Sequence, residues 1–203
     1  AIKIALREWP PFTISFFRFL VAFLILIFLI WGRKKISIQR KDLFQLLFFS
    51  VFACLNMLFF AYGIQFTTTI TGALLYTLSP ILVGLGSLVF LKEKFSRLEI
   101  VGTGLAFLGV ILIIFSPILH GEKQWQIGSL YGNLFILMAV LSFAIYSLGS
   151  RLLSKKFNAV TISFSSAAVS LLIFLPLSFL EFKKQQSGFF LPSQETILAI
   201  IYL

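Results

Sequence analysis

Residues 43–91 read "LFQLLFFSVFACLNMLFFAYGIQFTTTITGALLYTLSPILVGLGSLVFL" and contain no Asp, Glu, Lys or Arg. That run is too long for one buried strand or one core helix. It suits two membrane-spanning helices of ~20 residues each, joined by a short turn. Further charge-free runs cover 100–121, 124–150 and 157–180. The chain is 59% hydrophobic and 12% charged, with a mean hydropathy of +1.02, whereas a soluble domain carries about 25% charged residues. The reading is an all-α polytopic membrane protein. Spans are expected at 12–32, 43–62, 69–91, 97–116, 128–149 and 158–180, with a seventh opening near 195. The opening residues, from Ala1, read as the end of another helix and the seventh span stops at Leu203, so the sequence reads as a fragment without a cleavable signal peptide.

The loops carry the topology. Arg33, Lys34, Lys35, Arg40, Lys41, Lys92, Lys94, Arg97, Arg151, Lys155 and Lys156 fall on one side. Lys3, Arg7, Lys123, Lys183 and Lys184 fall on the other. The richer side is expected to be cytoplasmic, which implies a multi-pass protein of a plasma membrane, by preference a prokaryotic inner membrane. The net charge of +10 is then explained by short loops beside anionic lipid, and no nucleic-acid partner is expected. Trp9, Trp31 and Trp125 fall at helix ends, as interfacial anchors would. Cys54, the single cysteine, lies mid-helix and carries no redox information.

The span 69–91 contains Pro80, expected as a buried kink that frees the carbonyl of Tyr76. Within lipid, that group must be met by protein or by water in a cavity. Thr69, Gly72, Tyr76 and Ser79 recur at helical spacing on one face. This face either lines a cavity or lets helices pack closely, with the hydroxyls bonded to their own backbone. Ser96-Arg97-Leu98-Glu99 fits a capping box at the start of the next helix. Glu93, between Lys92 and Lys94, has no local structural account. In the span 43–62, Asn56 reads as the one amide well inside the apolar core, where it must face protein or water. Ser142, Tyr146, Gly149 and Ser150 share a face, with Tyr146 either a cavity residue or a packed aromatic. Arg18, two turns into its span, either snorkels outward or pairs in the core. Gly102, Ala106 and Gly109 form a small-residue stripe, and Gly128 and Gly132 another. Both suit packing within the subunit and also admit a homodimer.

"TISF" occurs at 13–16 and again at 161–164. At that offset "AIKIALREWPPFTISF" lies over "GSRLLSKKFNAVTISF". The second copy falls on the fifth crossing after the first, so the two run in opposite directions, an inverted repeat of five helices. The sequence resembles the drug/metabolite transporter superfamily, EamA type. "WPPFTISFFRFLVAF" (9–23) is similar to that family's second helix. "TTTITGALLYTLSPILVGLGSLVFLKEKFSRLEIVGTGLAFLGVILII" (67–114) is similar to its fourth and fifth, and "GSLYGNLFILMAVLSFAIYSLGSRLL" (128–153) to the start of its second repeat. The resemblance implies a ten-helix, five-plus-five transporter of which about seven helices are visible. Residues 1–117 would form the first repeat without most of its first helix, and 128–203 the second, truncated in its third.

It further implies an exporter of small metabolites working by alternating access, with its cavity between the repeats. The candidate cavity residues are Asn56, Thr69, Tyr76, Ser79, Pro80, Ser142 and Tyr146; Arg18 is the intramembrane charge and Glu93 the helix-end residue of the family motif. The partners implied are a small-molecule substrate and the bilayer; no cofactor or metal is expected. An enzyme would need polar catalytic groups. The single histidine, His120, falls in an expected loop, and no Asp or Glu lies within the core of any expected span, so no catalytic or metal-binding set is visible. A structural or assembly protein is the alternative, but it would need neither an inverted repeat nor a kinked polar helix. With no titratable carboxylate at depth, the expected transport is driven by the substrate gradient.

Overall fold

In the computed structural model, the described residues are 9–31, 40–91, 96–120 and 128–184. They form seven helices: α1 (Pro11–Trp31), α2 (Arg40–Gly63), α3 (Thr69–Tyr76), α4 (Ser79–Leu91), α5 (Arg97–His120), α6 (Leu130–Leu153) and α7 (Ala159–Lys184). Helices are the expected outcome for charge-free runs, because a bilayer offers no partner to an open backbone amide or carbonyl. Five stretches are long and apolar enough to span: α1, α2, α3 with α4, α6, and α7. The chain is a multi-pass membrane protein. The expected spans meet the observed helices within a few residues, and the seventh span lies outside the described residues.

Three expectations change. The span 69–91 is interrupted: α3 ends at Tyr76 and α4 begins at Ser79. Between them the backbone tightens to three-residue hydrogen bonds, Thr77 N–H to Leu74 O and Leu78 N–H to Leu75 O, both 3.2 Å. Pro80 is therefore the second residue of a new helix, where a missing amide is tolerated, and it is exposed rather than buried. Secondly, α7 continues through Lys184, so Glu181 belongs to the helix instead of the loop after it. Thirdly, Trp9 is only 7% exposed and lies on the ring of Phe17 at 4.9 Å; it packs inside the fold. Trp31, 85% exposed at the end of α1, keeps the environment of an interfacial anchor, and Trp125 lies outside the described residues.

The chain divides into two compact units, one of residues 1–54 with 152–203 and the other of residues 55–151. In the first, α1 and α7 pack antiparallel. Phe19 stacks on Phe174 at 5.6 Å and Phe23 on Phe164 at 5.0 Å, while Phe12 leans on Phe174 at 6.1 Å. Offset stacks at these separations add to the burial of the rings. The first part of α2 joins this pair through Ser50 and Ser165, whose hydroxyls lie 2.9 Å apart.

In the second unit, the end of α2 and the start of α6 meet backbone to backbone. A Cβ on Gly63 would lie 2.9 Å from Phe135 Cβ, and one on Gly132 would lie 2.7 Å from Phe66 C. Gly128 has φ +78°, a left-handed conformation that glycine adopts without strain. Next to it, Ser129 caps α6: its Oγ accepts from Gly132 N–H (3.0 Å) and donates to Phe66 O (2.9 Å). Thus Gly128 and Gly132 are used within the subunit. Gly102 and Gly109 of α5 have open space where a Cβ would stand.

Candidate functional site

Polar side chains inside an apolar helix need partners, since an unpaired group in a low-dielectric interior is costly. The second unit places two amides this way. Asn56 Nδ2 donates to Tyr76 Oη at 2.6 Å and to Ala139 O at 2.8 Å, which ties α2 to α3 and α6. The Tyr76 ring meets Phe60 edge-on at 5.4 Å, so the side chain is held by a ring contact as well as by the hydrogen bond to its hydroxyl. One turn beyond Tyr76, Ser79 is buried, and its Oγ has no hydrogen-bond partner among the described residues. Asn56 and Tyr76, singled out separately in the sequence, are thus joined by a hydrogen bond, and Tyr76 and Ser79 flank the α3–α4 interruption as the last residue of α3 and the first of α4.

The other expected site residues are distributed differently. Thr69 is exposed, and Thr71 is buried in its place beside Gly72. The reason is local: Thr68 caps α3, accepting from Thr71 N–H at 3.1 Å. The rest of the expected face keeps its phase: Gly72 and Ser79 are buried and Tyr76 is partly buried. The Ser142 hydroxyl donates to Met138 O at 2.9 Å, a bond within its own helix. Tyr146 is partly buried on α6, Gly149 is buried, and Ser150 is partly buried. Arg18 is partly buried on α1. Glu93 lies outside the described residues, as does the side chain of Glu99 in the expected capping box. Of that box, Ile100 N–H donates to Ser96 O at 3.2 Å.

Two polar residues were missed in the sequence. Asn133 is fully buried and its Oδ1 accepts from Thr67 Oγ1 at 2.6 Å, so Asn56 is not alone among core amides. Its signal was legible: an amide in a charge-free run, one turn past a serine that could cap. Glu181 is the larger omission. Its Oε1 accepts from Phe12 N–H (3.2 Å); its Oε2 accepts from Thr13 N–H (2.9 Å) and from Thr13 Oγ1 (3.1 Å). A carboxylate of α7 therefore sits on the amino end of α1, where free amides and the helix dipole favour negative charge.

Comparison of three helix starts explains why. A threonine stands at the third helical position of each: Thr13, Thr71 and Thr161. In α3 its amide is met by Thr68. In α7 both its amide (2.9 Å) and its hydroxyl (2.7 Å) donate to Asn158 Oδ1. Pro10 occupies the corresponding place before α1 and has no side-chain acceptor, so Glu181 supplies one from another helix. Asn158 and Pro10 are equivalent positions of the two "TISF" copies. Trp9 and Phe157, the residues just before them, are both buried.

A family model described as the EamA-like transporter family matches residues 1–115. The chain belongs to the EamA-like transporter family. It is 32% identical over 185 residues to the uncharacterized transporter YetK of Bacillus subtilis (strain 168), covering 88% of this chain and 54% of the relative. It is 27% identical to the uncharacterized transporter YcxC of the same organism, over 100% of this chain and 65% of the relative. A further relative is an uncharacterized transporter of Archaeoglobus fulgidus, 28% identical over 100% of this chain and 68% of the relative. The chain thus spans about half to two thirds of the length of these relatives. No solved structure matches it.

Proposed function

We propose that this EamA-family chain is the greater part of a transporter that moves small metabolites outward across a prokaryotic inner membrane. The observation that carries the reading is the Asn56–Tyr76 hydrogen bond beside buried Ser79, at a break in a membrane-spanning segment. Interrupted spans with exposed backbone polarity are where transporters place substrate. In this reading Asn56, Tyr76 and Ser79 contact substrate. Thr69, Ser142 and Tyr146 line its path, Pro80 fixes the interruption, and Arg18 is an intramembrane charge with a role in the cycle. The basic loops, with Glu93 among them, face the cytoplasm.

Alternating access would come from two inverted repeats, 1–117 and 128–203. The matched surroundings of Thr13 and Thr161 support that internal symmetry, since both copies of the motif open a helix and present the same donors. Three features favour transport over a scaffold role: the family membership, the interrupted polar span and the repeated motif.

The test is transport by the intact protein of pooled metabolites from cells or vesicles. Tyr76→Phe and Asn56→Ala should each lower the rate at least several-fold while leaving the amount in the membrane unchanged. Full export activity in both variants would refute the assignment of this polar pair to substrate.

A further inference from the structure

A cavity of about 390 Å³ lies in the first unit, lined by Phe44, Gln45, Phe48 and Phe49 of α2 with Leu152, Leu153 and Lys156 at and beyond the end of α6. It lies toward the charged end of α2, away from the α3–α4 interruption in the sequence. Its walls are apolar except for Gln45 and the basic Lys156. Phe44 is 70% exposed and Phe48 47%, one turn apart on α2, and their rings stack at 6.4 Å. Arg40 and Lys41 stand one turn before Phe44 and Gln45 on α2, with Asp42 in the same turn, and Lys155 precedes Lys156 after the end of α6; all four basic residues are exposed. Lys156 Nζ meets Asp42 Oδ1 at 2.7 Å. An ammonium has three donors, so this contact places Lys156 over the cavity and leaves donors for a second anion.

We propose that this cavity is a binding site for an anionic phospholipid. The phosphodiester would lie on Lys156, Lys155 and the basic start of α2, and the upper part of one acyl chain would lie along Phe44 and Phe48. The volume is near the lower end of the ~300–1,000 Å³ range of small-molecule sites, so it takes part of a lipid rather than the whole. Three features favour lipid over a soluble anion. The site is at the end of spanning helices, at headgroup depth. Its exposed phenyl walls gain nothing from inorganic phosphate but bury a methylene chain. The charged residues of the two segments that line it, Arg40, Lys41, Lys155 and Lys156 against Asp42, are net positive, which selects anionic over zwitterionic headgroups. The site also joins α2 to the α6–α7 turn, so an occupant would hold these two cytoplasm-facing ends together.

The test is native mass spectrometry of the protein in detergent with equal amounts of phosphatidylglycerol and phosphatidylcholine of the same acyl chains. Phosphatidylglycerol should be retained in preference. Each of Lys155→Gln and Lys156→Gln should cut that preference about fivefold, from the energy of one cation near a phosphate surface. Because these variants also alter a turn, a charge pair at Gln45 provides an independent arm. Gln45→Glu should lower the preference and Gln45→Lys should raise it, which misfolding cannot do in both directions. Equal retention of the two lipids, or Gln45 variants that shift together, would overturn the proposal. So would displacement of the lipid by glycerol phosphate at equal concentration, which would mark a soluble-anion site.

Discussion

Glu181→Ala removes the acceptor for three donors at the start of α1: the amides of Phe12 and Thr13 and the Thr13 hydroxyl. Loss of an N-cap acceptor costs about 0.5–2 kcal/mol, and leaving a buried donor unsatisfied costs about 1–3 kcal/mol. Glu181 is partly buried, so water reaches part of the gap. We expect a net loss of about 2–3 kcal/mol. Glu181→Gln keeps one oxygen and should lose about half of that, near 1 kcal/mol. The assay is equilibrium unfolding of the purified protein in mixed micelles titrated with SDS. The discriminating variant is Pro10→Asn, which places beside α1 the residue that caps α7. In the Glu181→Ala background it should restore about 1 kcal/mol, and in the unaltered protein it should add little. That inequality is the coupling a double-mutant cycle measures. A loss below about 0.5 kcal/mol for Glu181→Ala, or a Pro10→Asn effect equal in both backgrounds, would refute the borrowed-cap account.

Three other outcomes are expected. Single cysteines at Gln39 and Ser154 should resist an impermeant thiol reagent added to intact cells, whereas one at Gln124 should react; the reverse pattern would invert the topology. Pro80→Ala should reduce transport more than it reduces the amount of protein in the membrane, because alanine lets α3 and α4 fuse into one regular helix; a matched fall in both would make the proline a folding residue only. Reconstituted protein should move substrate down its gradient without an imposed pH difference, and Glu181→Gln should preserve this, since the carboxylate is occupied as a cap. Uphill accumulation driven by a pH gradient and lost in Glu181→Gln would instead make Glu181 the coupling group.

The membrane-spanning architecture was legible because its cause is written in composition: runs without charge must close their hydrogen bonds as helices in lipid. What the sequence hid were departures of one or two residues. The segment 69–91 looks continuous, and its tightened turn falls at Thr77 and Leu78, just before the proline that provokes it. Gly72, Tyr76 and Ser79 nevertheless keep to the expected face across it; the departure is Thr69 at the helix start, where the Thr68 cap engages a buried Thr71 instead. Glu181 sits one residue past the end of a charge-free run, where a boundary rule assigns it to a loop. Only the missing acceptor at Pro10, against Asn158 in the matching motif, hinted that something else must reach Thr13. Asn56 and Tyr76 could be chosen singly from their chemistry. That they bond to each other depends on how α2 and α3 pack, and no local pattern encodes that.

The glycine contact between the end of α2 and the start of α6 has a mechanical consequence. Gly132 abuts the carbonyl carbon of Phe66, Gly63 abuts Phe135 and the Gly132 carbonyl, and Ser129 clasps Phe66 O with two hydrogen bonds. At these two glycines the approach is set by backbone atoms and by the Cβ atoms of Phe66 and Phe135, which have no rotamer freedom to absorb sliding. Sliding of one helix end past the other at this contact therefore runs directly into backbone atoms. A single added methyl at Gly132 would lie 2.7 Å from Phe66 C and 2.8 Å from its carbonyl oxygen and would force the two backbones apart.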